Sequence, residues 1–375
     1  MRFLHTADWH LGRNLHGFDL LDDQAYILEQ IIAMAEDSAV DAVIIAGDVY
    51  DRALPPADAV ELFDDALNRL AVDLAVPVLI IAGNHDSGPR LAFGARLLAA
   101  QGVHIAGPVT ATPYTCALDD RHGPVRVTLL PYAEPAHVRH ALDDDSLHDH
   151  DRATRARLAR LSERGQRHVL VAHLFTLGGG TSDSERPLSV GGAEQVAIDA
   201  FAGFSYTALG HLHRPQAFNA QRIAYAGSPL AYSLSEADQT KSVSLVELDK
   251  AGSVHIERLP LSPKRAVRRV RGRLDDILAM PASNDYLGIT LNDVGALYDP
   301  LGKLRARFPH VVHIDRPAYT PQGPVAHRAD LQGDSGLLAL FEDFVQAQTG
   351  AFMDDDQRKV AEATQDAVLR AERAL

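Results

Sequence analysis

Five short apolar runs in this chain each end on a side chain that can bind a metal ion, and that conjunction constrains the fold more than any other feature. Phe3 and Leu4 lead into Asp8-Trp9-His10. Val43-Ile44-Ile45-Ala46 ends in Gly47-Asp48-Val49-Tyr50-Asp51, and Val78-Leu79-Ile80-Ile81-Ala82 ends in Gly83-Asn84-His85-Asp86. Val169-Leu170-Val171-Ala172 ends in His173, and Tyr206-Thr207-Ala208-Leu209 ends in Gly210-His211-Leu212-His213. Such runs suit strands buried on both faces, and helical stretches between them imply a layered α/β fold. Sites in such folds collect beyond the carboxyl ends of strands, so five strand ends deliver their side chains to one place. Glycines before Asp48, Asn84 and His211 permit the close backbone approach that crowded ligands need.

The donor types select a chemistry. Carboxylates, imidazoles and one carboxamide, without sulfur, suit a hard or borderline ion such as manganese or iron. Cys116 is the sole cysteine, which excludes an intrachain disulfide and a thiolate cluster. Two ions need a bridging ligand, and a carboxylate bridges where an imidazole does not. Asp48, central among the five motifs, is the candidate. Each motif alone has a plainer reading: a surface accident, a turn, or a strand with two satisfied histidines. Their order, each after an apolar run, favours function.

The series Asp-x-His, Gly-Asp-x-x-Asp, Gly-Asn-His-Asp, His and Gly-His-x-His resembles the calcineurin-like metallophosphoesterases. That resemblance implies an α/β sandwich of two mixed β-sheets flanked by helices. More narrowly, His10-Leu11-Gly12-Arg13, the loop from Gly178-Gly179-Gly180 to Glu185-Arg186, Val190-Gly191-Gly192, His211-Leu212-His213-Arg214-Pro215-Gln216 and Ala226-Gly227-Ser228-Pro229-Leu230 resemble the SbcD family, the nuclease subunits of bacterial SbcCD complexes. This likeness covers about the first 250 residues and is only in outline over the last 110. It implies a small α+β cap domain, a C-terminal helical segment and two divalent ions, Mn2+ first with Fe2+ or Mg2+ as alternatives. Asp8, His10, Asp48 and His213 would hold one; Asp48, Asn84, His173 and His211 would hold the other. His85 would not be a ligand but would stabilise the transition state or protonate the leaving sugar oxygen. Asp51 would pair with it, or else cap a helix N-terminus.

The implied activity is metal-dependent hydrolysis of DNA by a water that both ions activate. It comprises a double-strand 3'-5' exonuclease and a single-strand or hairpin endonuclease, serving repair, replication and recombination. The implied partners are DNA and an SbcC-like coiled-coil ATPase subunit, with a homodimer inside a heterotetramer. Arg13, His16, Ser182, Ser184 and Arg186 are candidate DNA contacts. Alternative readings are a phosphomonoesterase or cyclic-nucleotide phosphodiesterase, and a DNA-end tether without catalysis.

Net charge is -14, which is awkward for a DNA binder, so contact must use local patches, bound metal or a partner. Arg258, Lys264, Arg265, Arg268, Arg269, Arg271 and Arg273 form the one basic run, and a protected edge strand explains it as well as DNA does. The expected domains are residues 1–262 (nuclease), 263–325 (DNA-binding cap) and 326–375 (helical, partner-binding), with a proline-rich linker at 317–324. A helix is expected over 55–71, with Val60, Phe63, Leu67 and Leu70 on its apolar face, and another over 90–100. These serve a homodimer or pack on the protein's own sheet. Leu337 to Val345 has helical spacing that suits a partner's groove or its own domain. Residues 137–165, with His137, His140, His148 and His150, read as solvated, and 242–248 as a half-exposed strand. The N-terminus lacks signal-peptide character, and no apolar run nears the roughly 18 residues of a membrane helix. The expectation is cytoplasmic and, by the resemblance, nucleoid-associated.

Overall fold

A strand that is apolar at every position needs cover on both faces, and the chain supplies it with two sheets and outer helices. The computed structural model describes residues 1–162, 165–176, 178–185, 195–220, 222–295, 297–317, 338, 341–342, 344–346 and 351–372. The sandwich strands are β1 (Arg2–Thr6), β2 (Ala42–Ile45), β3 (Val78–Ile81), β4 (Val103–Ala106), β5 (Tyr114–Asp120), β6 (Gly123–Leu130), β7 (His168–His173), β8 (Tyr206–Gly210), β9 (Gln216–Phe218), β10 (Ile223–Tyr225), β11 (Ser242–Leu248) and β12 (Val254–Pro260). One sheet has the order β12-β11-β1-β2-β3-β4, the other β9-β10-β8-β7-β6-β5. β1 to β4 run parallel, as do β6, β7, β8 and β10, while β5, β9, β11 and β12 pair antiparallel. Both sheets are therefore mixed, as the fold class required.

Between the sheets, Phe3, Ile44, Leu79 and Ile81 meet Val127, Val169, Val171 and Tyr206. On the other face, Leu4, Val43, Ile45 and Ile80 pack with Ile27, Ile31 and Phe63 from the helices Leu21–Asp37 and Ala57–Asn68. His5 joins the sheets through Nδ1 and the Tyr206 hydroxyl at 2.8 Å, and burial pushes its pKa down to about 3. It is a neutral core residue, outside the metal chemistry.

Four local expectations are corrected. β11 is not half-exposed: it lies between β1 and β12, and its residues are buried except for a half-buried Glu247. The helix expected over 55–71 is α-helical over Ala57–Asn68 and continues as a π-helical turn over Arg69–Asp73, and Val60 lies 43% exposed rather than on the buried face. Residues 90–100 form two short helices, Gly88–Leu91 and Ala95–Leu98, broken at Gly94, whose φ is +74°. Residues 137–165 are not wholly solvated: Val138, Leu147 and Ala153 make a small core, and His150 and Arg157 are buried.

Beyond β12, Val267–Gly272, Tyr286–Leu291 and Val311–Asp315 form a three-stranded sheet. The chain divides into two compact units: residues 1–270 with 281–289 and 301–313, and residues 271–280 with 290–300 and 314–375. Within the first, Arg265 pairs with Asp22 and Asp23, Lys264 with Asp22, Arg268 with Asp285 and Arg269 with Asp238. Much of the basic run is thus already neutralised. The second unit contains the helices Leu274–Leu278 and Asp355–Glu372. Most of the 317–324 segment, and Leu337 and Leu340 of the helix expected there, lie outside the described residues. No helix among the described residues is long and apolar enough to cross a membrane.

At the amino ends of β1 and β7, Asp120 accepts from the Met1 ammonium at 2.8 Å and pairs with Arg167, whose Nη1 and Nε donate to Gly123 O and Asp249 O. Burial opposes ionisation of Asp120, but Arg167 and the N-terminal ammonium outweigh it and hold the carboxyl well below the usual carboxylate range. Asp120→Asn is expected to cost ~2 kcal/mol, between the exposed and buried limits for an ion pair. Because the folded pKa is depressed, this contribution is fully present above the unfolded value of about 3.9 and is lost as pH falls through the folded pKa. Urea unfolding of both proteins should give a gap at pH 7 that narrows below about pH 4; a gap independent of pH contradicts the ionic origin.

Candidate metal centre

Three of the five strand ends, those of β1, β2 and β8, deliver their side chains through strained turns. Asp8, His10, Asp48 and His211 have φ values of +55°, +47°, +50° and +109°, a region that L-residues seldom occupy. Backbone bonds hold these turns together: Asp8 N donates to Gly47 O and His10 N to Asp48 O, at 3.0 and 2.9 Å. The Gln24 amide donates to the carbonyls of Trp9 and His10, and its oxygen accepts from Gly12 N. The Asp86 carboxylate accepts from the amides of Gly83, Val49 and Tyr50 at 2.9–3.1 Å, binding the Asp48 loop to the Asn84 loop. Burial, then the Asp48 charge, pushes Asp86 up to about 7. Neither Gln24 nor the role of Asp86 was foreseen.

All seven expected ligand residues converge, and all but the half-buried Asn84 are buried. Asp8, His10 and His213 each bring a ligand atom within 4.8 Å of the others, as do Asp8, Asp48 and His173. Asp48 Oδ2 lies 3.6 Å from His10 Nε2 and 3.5 Å from His173 Nε2. Asn84 Oδ1 lies 2.9 Å from His173 Nε2 and 3.1 Å from His211 Nδ1. His10 Nε2 and His213 Nε2 are 3.1 Å apart. Asp48 thus lies between His10 on one side of the cluster and His173 on the other.

The protonation pattern tests whether metal fits. His173 Nδ1 sits 2.9 Å from Ala46 O, a pure acceptor, so Nδ1 carries the hydrogen and Nε2 presents a lone pair. That lone pair faces the acceptor oxygen of Asp48. Burial keeps His10, His173 and His211 neutral by lowering their pKa values, that of His211 to about 3. Burial and the Asp48 charge raise Asp8; burial also opposes ionisation of Asp48, but the surrounding imidazoles and the His85 amide bring it down. Asp8 Oδ2 and His10 Nδ1 are buried without a hydrogen-bond partner. Converging lone pairs and buried carboxylates with no cation among them fit divalent metal.

The glycines act by omission. A Cβ on Gly83 would lie 2.1 Å from Asp48 Oδ1, and one on Gly210 would lie 2.0 Å from Ala46 O. Gly83→Ala must move the Asp48 carboxylate, so we expect a melting-temperature loss equivalent to ~1–3 kcal/mol together with weakened manganese uptake in a calorimetric titration. Unchanged uptake would show that Asp48 does not need its present position.

His85 is 95% buried, with Nε2 4.0 Å from Asp48 Oδ2. Its Nδ1 is 2.8 Å from the backbone oxygen of Asp51. Asp51 thus meets His85 through its backbone, while its carboxylate accepts from Arg13 Nη1 at 3.2 Å and lies 3.7 Å from His10 Nδ1. It does not cap a helix, since the next one starts at Ala57 after Pro56.

The expected DNA contacts fare differently. Arg13 is committed to Asp51, to Ser184 O at 3.0 Å and to the face of Tyr232 at 5.1 Å. Ser184 is buried, and its hydroxyl contacts His213 and Glu236, so it is not available to a backbone phosphate. Ser182 is half-buried against Glu185, while His16 is exposed. Arg186 lies outside the described residues. Glu185, Glu236 and Lys241, which sequence reasoning gave no role, surround His213.

The calcineurin-like phosphoesterase family model matches residues 1–215, and that of the type 5 capsule protein repressor C-terminal domain matches residues 263–349. The D subunit of the nuclease SbcCD from Staphylococcus epidermidis is 32% identical over 349 residues, covering 91% of this chain and 92% of that protein. Among solved structures, a dimetal phosphatase from Danio rerio aligns with 14% identity and a TM-score of 0.41, covering 70% of this chain and 98% of its own. A protein of Thermus thermophilus aligns with the same identity and score, covering 68% and 98%. The chain belongs to the calcineurin-like phosphoesterase family and, within it, to the family of SbcCD nuclease subunits.

Proposed function

We propose that this chain is a metal-dependent nuclease that hydrolyses phosphodiester bonds in DNA as the catalytic subunit of a complex with a coiled-coil ATPase. The single observation that carries the reading is the meeting of lone pairs on His173 Nε2 and Asp48 Oδ2, 3.5 Å apart and buried, with no proton to share. Asp8, His10, Asp48 and His213 would hold one ion; Asp48, Asn84, His173 and His211 would hold the other. Manganese suits this oxygen and imidazole set best, with Fe2+ or Mg2+ as substitutes. When bound, such ions supply a water activated at neutral pH and positive charge for the phosphoryl oxygens.

The chain's own residues do the rest. Asp48 holds the two halves of the centre in register. His85, fixed through Nδ1 to Asp51 O, directs Nε2 to the edge of the site, where it stabilises the phosphoryl group or passes a proton to the leaving sugar oxygen. Arg13 neutralises Asp51 beside His10 and keeps this wall of the site rigid. Residues 263–325 serve as the cap toward DNA and 326–375 as the segment for the ATPase. The exposed Phe341 and Phe344, 6.4 Å apart, support a partner surface there. Exposed Phe93 and Leu97 support a homodimer through the short helices after β3, within a heterotetramer. The activities that follow are double-strand 3'-5' exonuclease and single-strand or hairpin endonuclease, at the nucleoid, in repair, replication and recombination.

The test uses labelled single-stranded and hairpin DNA with manganese, with and without the ATPase subunit. Cleavage that needs metal supports the proposal. Activity confined to small phosphate esters, or tight binding without cleavage, sinks it.

A further inference from the structure

His213 is held at three points, more firmly than its role as one ligand among several requires. Its backbone N–H donates to Glu185 Oε1 at 2.7 Å, and its carbonyl accepts from Lys241 Nζ at 2.9 Å. Its ring Nδ1 meets the Ser184 hydroxyl at 2.7 Å. The same hydroxyl contacts Glu236 Oε1, and Glu236 is itself paired with the Lys241 ammonium. Ser184, Glu236 and Lys241 are all buried.

Elementary donor counting fixes the protons in this chain. A carboxylate paired with an ammonium offers only lone pairs, so the Ser184 O–H donates to Glu236. The Ser184 oxygen then has lone pairs left for His213, so Nδ1 of His213 must carry its hydrogen. Nε2 is left as a lone pair, facing His10 Nε2 at 3.1 Å inside the centre. Glu236 Oε1 lies 3.5 Å from His213 Nδ1, too far for a good direct bond, so the serine hydroxyl spans the gap. Ser184 cannot drift, because its carbonyl accepts from Arg13 Nη2 at 3.0 Å.

We propose that Ser184 and Glu236 form a relay that locks His213 in its Nδ1–H tautomer and ring orientation, presenting Nε2 to a metal ion. They are positioning residues, and the Ser184 hydroxyl serves the metal centre. The inference rests on the function proposed above. Outer partners of ligating histidines typically change metal affinity by ~10–100-fold.

The test is a manganese titration by calorimetry of the full chain, Ser184→Ala and Ser184→Thr, with melting of each metal-free protein. For wild type, two ions are expected. Ser184→Ala should weaken one of them ~10–100-fold and leave the other unchanged, while metal-free melting falls because the buried partners of the hydroxyl lose their bonds. Ser184→Thr keeps a hydroxyl and should restore the weakened site. The relay is overturned if Ser184→Ala titrates as wild type, if both ions weaken equally, or if threonine fails to rescue. Failure of the wild type to take up manganese sinks the underlying function and this inference together; wild-type uptake with an unaltered alanine variant sinks the relay alone.

Discussion

Replacing Asp48 by asparagine is expected to remove manganese uptake and to lower DNA hydrolysis by ~10³-fold or more, the scale of losing a preorganised electrostatic group. The substitution is nearly isosteric. Its Oδ1 can still accept from His85 N, which lies 2.9 Å away in the native protein. What it lacks is the charge that would bridge two cations. The opposite effect is expected on the metal-free fold. An amide at this place could donate to the lone pair of His173 Nε2, now 3.5 Å from Asp48 Oδ2, and it would end the repulsion between Asp48 and Asp8. We therefore expect the metal-free variant to be more stable by ~1 kcal/mol, the net worth of one hydrogen bond, as sites built for function often gain stability when disarmed. Melting with and without manganese, beside turnover, reads both effects. Wild-type uptake and turnover in Asp48→Asn would show that the bridge lies elsewhere.

His85→Ala should separate binding from catalysis. The ring approaches the centre without entering it: its centroid is 4.6 Å from that of His10, and its Nε2 points to Asp48 from 4.0 Å. Manganese titration should give near-native stoichiometry, while turnover on labelled DNA falls ~10²–10⁴-fold, the range for a positioned general acid. Parallel loss of metal and activity would make His85 a ligand and overturn its assigned role. Because Nδ1 binds a backbone oxygen, an Asp51→Asn variant should leave the His85 tautomer unchanged and act through Arg13 and His10 instead.

Much of the candidate centre is legible in the sequence because the expected ligands follow apolar runs of fixed form, and parallel strands bring such ends together. What surrounds the ligands is not. Gln24, Glu236 and Lys241 lie on a helix, a short turn and the approach to β11, with nothing in their local pattern to mark them. Ser184 reads otherwise in the sequence: a serine in a glycine-rich loop looks like a phosphate contact, and its burial against Glu236 is visible only in the fold. Asp51 misled by one atom, since spacing brings a residue near His85 but does not say whether its backbone or side chain arrives.

β11 makes the same point about the fold. Alternation predicts one wet face, yet β11 lies between two neighbouring strands and is covered on both faces. The sequence by itself determined the α/β class, the strand ends and the identity of the donors, because periodicity and residue chemistry are local properties. Only the tertiary structure decided which lone pairs face one another, which carboxylate steadies which histidine and which cations are already spent. Those depend on distances between segments more than two hundred residues apart, as between His10 and His213 or Asp22 and Arg265, and no local pattern encodes them.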